Sequence, residues 1–166
     1  AKYEQITDRI EVEVGKYLTK TSTEVRNEEL SARIQGMLAI VGDLERVGDI
    51  FFQMGKAMER KRDERLWFTP EQREQLLEML ALVERAFEVM HRNLDVDAEQ
   101  VFLDEAVEAE QRINTKRDQL RRGHLKSIES GAYNVKSGLI YNDLFSSCEK
   151  VGDHLINVSE AMAGEM

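Results

Sequence analysis

The sequence predicts an all-α protein, and three observations carry that prediction. Apolar residues recur at helical spacing through long stretches, the 166 residues contain one proline, and 33% of them are charged. A chain this long forms one compact domain or two small bundles. The formal net charge of −9 argues against a nucleic-acid partner, which would demand a basic face. Cys148 is the lone cysteine, which leaves no disulfide framework and no thiolate metal site. It lies on an apolar stripe, where a buried structural thiol is expected. The 166 residues are read as containing no signal-peptide pattern and no apolar run long enough to span a bilayer.

The first helix is expected from Lys2 to Thr19, with Ile6, Ile10, Val14 and Tyr17 at helical spacing and an acidic pair, Glu4 and Asp8. Lys20-Thr21-Ser22-Thr23 reads as a polar break rich in N-cap types. A long second helix then runs to about Arg60. The charged stretch 61–68 reads as a loop. The basic cluster around its start, Lys56, Arg60, Lys61, Arg62 and Arg65, is read as solvated, with docking to anionic lipid or an acidic partner as the alternative. Thr69-Pro70-Glu71 restarts the chain as a third helix, a capping residue followed by proline at the first helical position. That helix runs to Leu94 through Leu76, Leu77, Leu80, Val83, Phe87 and Met90. Asp95 and Asp97 are expected to cap a fourth helix reaching Ser127, with Glu110 and Asn114 at i, i+4. Ser130-Gly131 breaks the chain, and the fifth helix spans about Asn134 to Met162.

One pattern occurs twice. Glu45-Arg46-Val47-Gly48-Asp49 and Glu149-Lys150-Val151-Gly152-Asp153 lie 104 positions apart, and Ala57-Met58 falls in register with Ala161-Met162. That distance indicates a duplicated helical unit rather than a short-period solenoid. On a helical wheel Ile40, Leu44, Val47, Phe51, Met54 and Met58 form one stripe, and Leu144, Cys148, Val151, Leu155, Val158 and Met162 form the other. The carboxylates of each copy fall roughly 150° from the stripe, facing solvent or a neighbouring helix. Gly48 and Gly152 sit between stripe and carboxylates, where a missing side chain admits a close backbone or a bound ion. A mid-helix glycine costs about 1 kcal/mol against alanine, so each calls for a reason.

Carboxylates at i, i+4 are neighbours about 5–6 Å apart at Cβ, and two like charges there are mildly destabilising. A single such pair is usually a solvated acidic face. The repeated pattern, in which residue type and wheel position recur together, points instead to a cation site. Oxygen ligands without thiols suit hard cations or iron. A di-iron carboxylate bundle would need two Glu-x-x-His motifs. Glu88–His91 is the lone example, so His91 is read as a surface residue. His154 follows Asp153 and is read as structural or solvated, with the edge of the second site as the alternative. No nucleophile–base signature or phosphate-binding glycine loop is present. The chain is therefore read as a non-enzyme, with a metal-carboxylate enzyme as the alternative from another class and a purely structural helical interaction module as a third.

Leu44–Ile50 and Cys148–His154 resemble the two E/D-x-x-x-D motifs of PhoU proteins, regulators of phosphate transport, and Asn93–Asp97 resembles the family's junction between its halves. The resemblance implies two antiparallel three-helix bundles, here residues 1–68 and 69–166. The first would lack one helix, leaving five long helices, with the missing one expected ahead of Ala1. It also implies surface metal clusters, of iron or zinc first and magnesium or calcium as alternatives. Glu4, Asp8, Glu45 and Asp49 would form one cluster, and Glu110, Asn114, Glu149 and Asp153 the other. Asn114 stands where a carboxylate is common, which implies a weaker second cluster. Similar domains form the cytoplasmic part of bacterial sodium/phosphate cotransporters. The implied role is thus regulatory, on the cytoplasmic side of the inner membrane, with the transmembrane part of the transporter as partner and phosphate as a candidate bridging ligand. A free-standing regulator of an ABC phosphate transporter and its sensor kinase is the alternative. The bundle is expected as a monomer or a homo-oligomer.

Overall fold

The computed structural model describes residues 2–24 and 28–164. Five long helices account for most of them: α1 (Lys2–Glu24), α2 (Glu28–Asp63), α3 (Pro70–Leu94), α4 (Leu103–Glu129) and α5 (Val135–Ala163). The chain is all-α, with no strand among the described residues. No described helix is long and apolar enough to cross a membrane.

Local chemistry explains the helix ends. Thr69 opens α3 with a capping box: its hydroxyl accepts from Gln72 N at 3.1 Å, and Gln72 Oε1 accepts from Thr69 N at 2.9 Å. Asn134 opens α5, its side chain accepting from Lys136 N at 2.9 Å. Gly164 closes α5 at φ 79°, a left-handed conformation that glycine adopts without steric cost.

Three boundaries differ from expectation. The polar run Lys20–Thr23 is helical, because Thr21 Oγ1 donates to Tyr17 O at 3.0 Å and Ser22 Oγ to Thr19 O at 2.9 Å. Hydroxyls that bond back to the preceding turn can stay in a helix rather than break it. The expected start of the second helix just after Thr23 lies outside the described residues. At its other end α2 continues through Asp63 into the stretch read as a loop. It is closed by Arg65 at φ 53° with Leu66 N donating to Lys61 O at 2.9 Å. Asp95 and Asp97 do not cap the fourth helix. Asp95 ends α3, Asp97 precedes a short 3₁₀ turn at Ala98–Gln100, and α4 starts only at Leu103. The linker is held by buried Asn93, whose Nδ2 donates to Ser159 Oγ at 3.0 Å and whose Oδ1 accepts from Phe102 N at 2.9 Å.

α5 is the central element, packing on α2, α3 and α4, while α3 also packs on α4. Its stripe is buried as the wheel requires: Leu144, Cys148, Val151, Leu155 and Val158 lie in the core with Met79, Val83, Met90, Ile113 and Leu120. The antiparallel pairing of α5 with α2 brings Arg60 to Asp143 at one end and Asp43 to His154 at the other. Val47 joins the same buried cluster, so one core crosses the expected boundary at 68/69. The α2 stripe is less covered than expected, with Phe51 38% and Met58 45% exposed. α1 packs chiefly on α2 and leaves Ile6 and Ile10 exposed. A helix covered on one side buries only the narrow strip that meets its neighbour.

Candidate metal centre

The repeat builds two helix pairs of the same design. α1 lies against α2 and α4 against α5, and each repeat glycine faces a side chain from the adjacent helix. A Cβ at Gly48 would stand 3.1 Å from Thr7 Oγ1 and 3.3 Å from Thr7 Cγ2. One at Gly152 would stand 3.0 Å from Ile113 Cδ1 and 3.4 Å from its Cγ2. Thr7 precedes Asp8, and Ile113 precedes Asn114. The glycines therefore admit the neighbouring helix, which sets the carboxylate rows of paired helices side by side.

At the first pair, ligand atoms of Glu4, Asp8 and Asp49 all lie within 4.8 Å of one another. Asp49 is exposed, Glu4 and Asp8 are half-buried, and Glu45 stands outside this triad. Burial, then the like charges of Asp49, Glu11 and Asp8, hold the Glu45 carboxyl above its ordinary pKa, with Arg46 acting against them. Such crowding is relieved by a positive charge. The donor set is all oxygen, with no histidine or thiolate, and so fits a hard cation that keeps several waters.

The second pair is arranged differently. Asn114 Nδ2 donates to Glu110 Oε1, and Arg117 Nη1 reaches across to Glu149 Oε1. The guanidinium thus occupies the side of the row where a cation would sit, and no three carboxylates converge here among the described residues. Desolvation, then the charge of Asp153, raises the Glu110 pKa, while its bond from Asn114 lowers it. Asp153, though exposed, is also raised by desolvation, with His154 and Arg117 opposing. The Asn114 Oδ1 atom is buried without a hydrogen-bond partner. A cation at this pair would compete with Arg117.

A further polar cluster was not anticipated. Asp43, 6% exposed, accepts from His154 Nδ1 at 2.7 Å and from Asn157 Nδ2 at 3.4 Å, and Arg46 Nη1 lies 3.5 Å away. His154 therefore serves an interhelical contact between α2 and α5. A sequence signal for this existed. Asp43 stands three residues after Ile40 and four before Val47, on the apolar stripe itself, and a carboxylate there must be buried with a partner. His91 is exposed, as expected of a surface residue. Within the basic cluster, Lys56 pairs with Glu59 at 2.9 Å, Lys61 Nζ lies 4.6 Å over the Phe68 ring, and Arg60 reaches Asp143 on α5 at 3.7 Å.

No family model matches the chain, and neither a curated protein nor a solved structure matches it.

Proposed function

We propose that this chain is a metal-binding regulatory domain of phosphate uptake, the cytoplasmic PhoU-like part of a sodium/phosphate cotransporter. The observation that carries metal binding is the convergence of Glu4, Asp8 and Asp49 from two helices, beside a fourth carboxylate at Glu45. The phosphate context rests on the resemblance of the two E-[RK]-V-G-D copies to PhoU motifs. In this reading the first cluster is the principal site and holds iron, or else zinc, magnesium or calcium. The second, with Arg117 across its row, is the weaker one. A cation bound between α1 and α2 ties those helices together, and with no third helix beside α1 among the described residues, that tie governs what the α1–α2 face presents to the transmembrane part. Phosphate fits as a bridging oxyanion only once a cation is present, because the carboxylates alone repel it. The role needs no catalytic group.

Elemental analysis of the purified protein, beside a variant with Asp8→Asn, Glu45→Gln and Asp49→Asn, tests the metal. We expect stoichiometric metal in the parent and its loss in the variant, while a Glu149→Gln variant keeps most of it. Equal metal in parent and triple variant, or none in either after loading with each ion, refutes the site. The partner is tested by capturing the transmembrane part of a sodium/phosphate cotransporter with the loaded domain. Capture unaffected by the triple substitution refutes the regulatory role of the metal.

A further inference from the structure

A cleft of about 480 Å³ opens between the start of α3, the last turns of α4 and the loop that leads into α5. None of the eight residues of the two acidic rows lines it. Its walls include Gln72, His124, Tyr133 and Tyr141, with Glu71 also on its lining.

Gln72 is the telling residue. It is 3% exposed, and its Oε1 is committed to Thr69 N in the α3 capping box. That bond fixes the orientation of the amide, because a flip would set two donors against each other. Its Nε2 is consequently turned away from the cap and towards the Tyr133 hydroxyl, with which it interacts without a well-formed hydrogen bond. The neighbouring Tyr133 hydroxyl is already held 2.5 Å from His124 Nδ1 and 3.3 Å from His124 O. An amide nitrogen carries two donors, and a buried donor left unfilled costs about 1–3 kcal/mol, so Gln72 has capacity for an acceptor that is not part of the chain. A second donor lines the same cleft. The Tyr141 ring is packed by Phe68, Phe145 and His124, while its hydroxyl makes no hydrogen bond to a described residue.

The remaining walls set the ligand's chemistry. The Tyr133 and His124 rings stack at 5.9 Å and form a flat aromatic wall. Gly138 permits this, since a Cβ there would stand 2.7 Å from Tyr133 Cε2. Burial lowers the His124 pKa, so the ring is neutral at neutral pH, and neither lysine nor arginine lines the cleft. Glu71 adds a carboxylate acceptor. Two neutral donors, one carboxylate acceptor and a flat wall without a cation disfavour an anion. They suit a planar group that carries a carbonyl oxygen beside an N–H.

We propose that this cleft binds a small, uncharged planar carboxamide or lactam. Its carbonyl accepts from Gln72 Nε2 and the Tyr141 hydroxyl, its N–H faces the Glu71 side, and its plane lies along the Tyr133 and His124 rings. The competing occupant is ordered water, which a polar cleft of this size also accommodates.

The test is a two-dimensional amide NMR titration with benzamide, set against benzoate, which has the same ring and an anionic head. Benzamide is expected to bind with millimolar affinity, as befits a one-ring fragment, and to shift the Gln72 side-chain amide and the Gly123 and Ser127 backbone. Benzoate is expected to leave them in place. Tyr141→Phe removes one unbonded hydroxyl and should weaken benzamide about tenfold. Gly123→Leu should abolish binding, since a Cβ at Gly123 meets nothing within 4 Å and the added side chain fills the cleft without a clash at its root. Unchanged resonances along α2 show that each variant keeps its fold. Benzamide that fails to bind, binds equally to the Gly123→Leu variant, or is matched by benzoate overturns the proposal and leaves the cleft a water site.

Discussion

Replacing Gly152 by alanine tests the claim that the repeat glycines exist to seat a neighbouring helix. Two opposing effects act. Alanine gains about 1 kcal/mol of helix propensity over glycine in a helix interior. Against this, the new Cβ would lie 3.0 Å from Ile113 Cδ1 and 3.4 Å from its Cγ2, closer than ordinary van der Waals contact. Ile113 is fully buried, so its side chain has little room to turn aside. Overpacking of this kind costs about 1–3 kcal/mol. The net expectation runs from neutral to about 2 kcal/mol destabilising. Gly55, on the same kind of long helix, has nothing within 4 Å of its notional Cβ, so Gly55→Ala should stabilise by about 1 kcal/mol. Thermal unfolding separates the two, because 1 kcal/mol moves the midpoint by about 2–4 °C for a chain of this size. Ile113→Val provides the internal check, since it removes the nearest atom. Alone it should cost about 0.5–1.5 kcal/mol. In the alanine background it should cost nothing, a coupling of about 1 kcal/mol. If Gly152→Ala stabilises as much as Gly55→Ala, or the two substitutions simply add, the glycine does not serve helix approach.

Three further outcomes are expected. Asp43→Ala leaves His154 and Asn157 without their shared acceptor and should lower stability by about 1–3 kcal/mol in urea unfolding, so a loss within error would show that the cluster carries nothing. Glu45, Glu110 and Asp153 have raised carboxyl pKa values in the fold, so the native state takes up protons before the unfolded chain does as pH falls. Their contribution to metal-free stability therefore grows between neutral pH and their ordinary carboxylate values and is lost again as pH rises. His124 acts oppositely, because its pKa lies below the ordinary 6.5 and its contribution is lost as pH falls through that value. Comparing urea midpoints of the parent and a Glu45→Gln, Glu110→Gln, Asp153→Asn variant isolates the carboxyls, and identical pH profiles would contradict the crowding. Burial pushes the Cys148 thiol up to about 11, so an aromatic disulfide reagent should modify it only through unfolding. Rapid labelling of the folded protein would show that α5 opens locally.

Much of the helical architecture was legible because its causes are local. The Thr69-Pro70 start of α3 is announced by a capping residue and a proline that has no donor to lose. The α5 stripe from Leu144 to Val158 is buried because each residue recurs near one turn from the last. Local signals failed where a second interaction, within the helix or across the fold, competes with them. Lys20–Thr23 has the composition of a break yet stays helical through hydroxyl bonds to its own preceding turn. Asp95 and Asp97 have capping chemistry, but Asn93 anchors the linker to Phe102 N and Ser159, and α4 begins later.

The candidate site divides along the same line. The sequence by itself determined that Glu45 and Asp49, and Glu149 and Asp153, lie on one side of their helices, since that follows from i, i+4 spacing alone. Periodicity sets which way a side chain leaves its own helix and contains no information about what waits opposite. Only the tertiary structure decided that Glu4 and Asp8 complete an acidic triad with Asp49, whereas Arg117 meets Glu149 in the second copy. It likewise decided that Asp43 is answered by His154 from far along the chain, and that the glycines admit Thr7 and Ile113. Those outcomes depend on helix register, which is chosen by the packing of the whole core around α5.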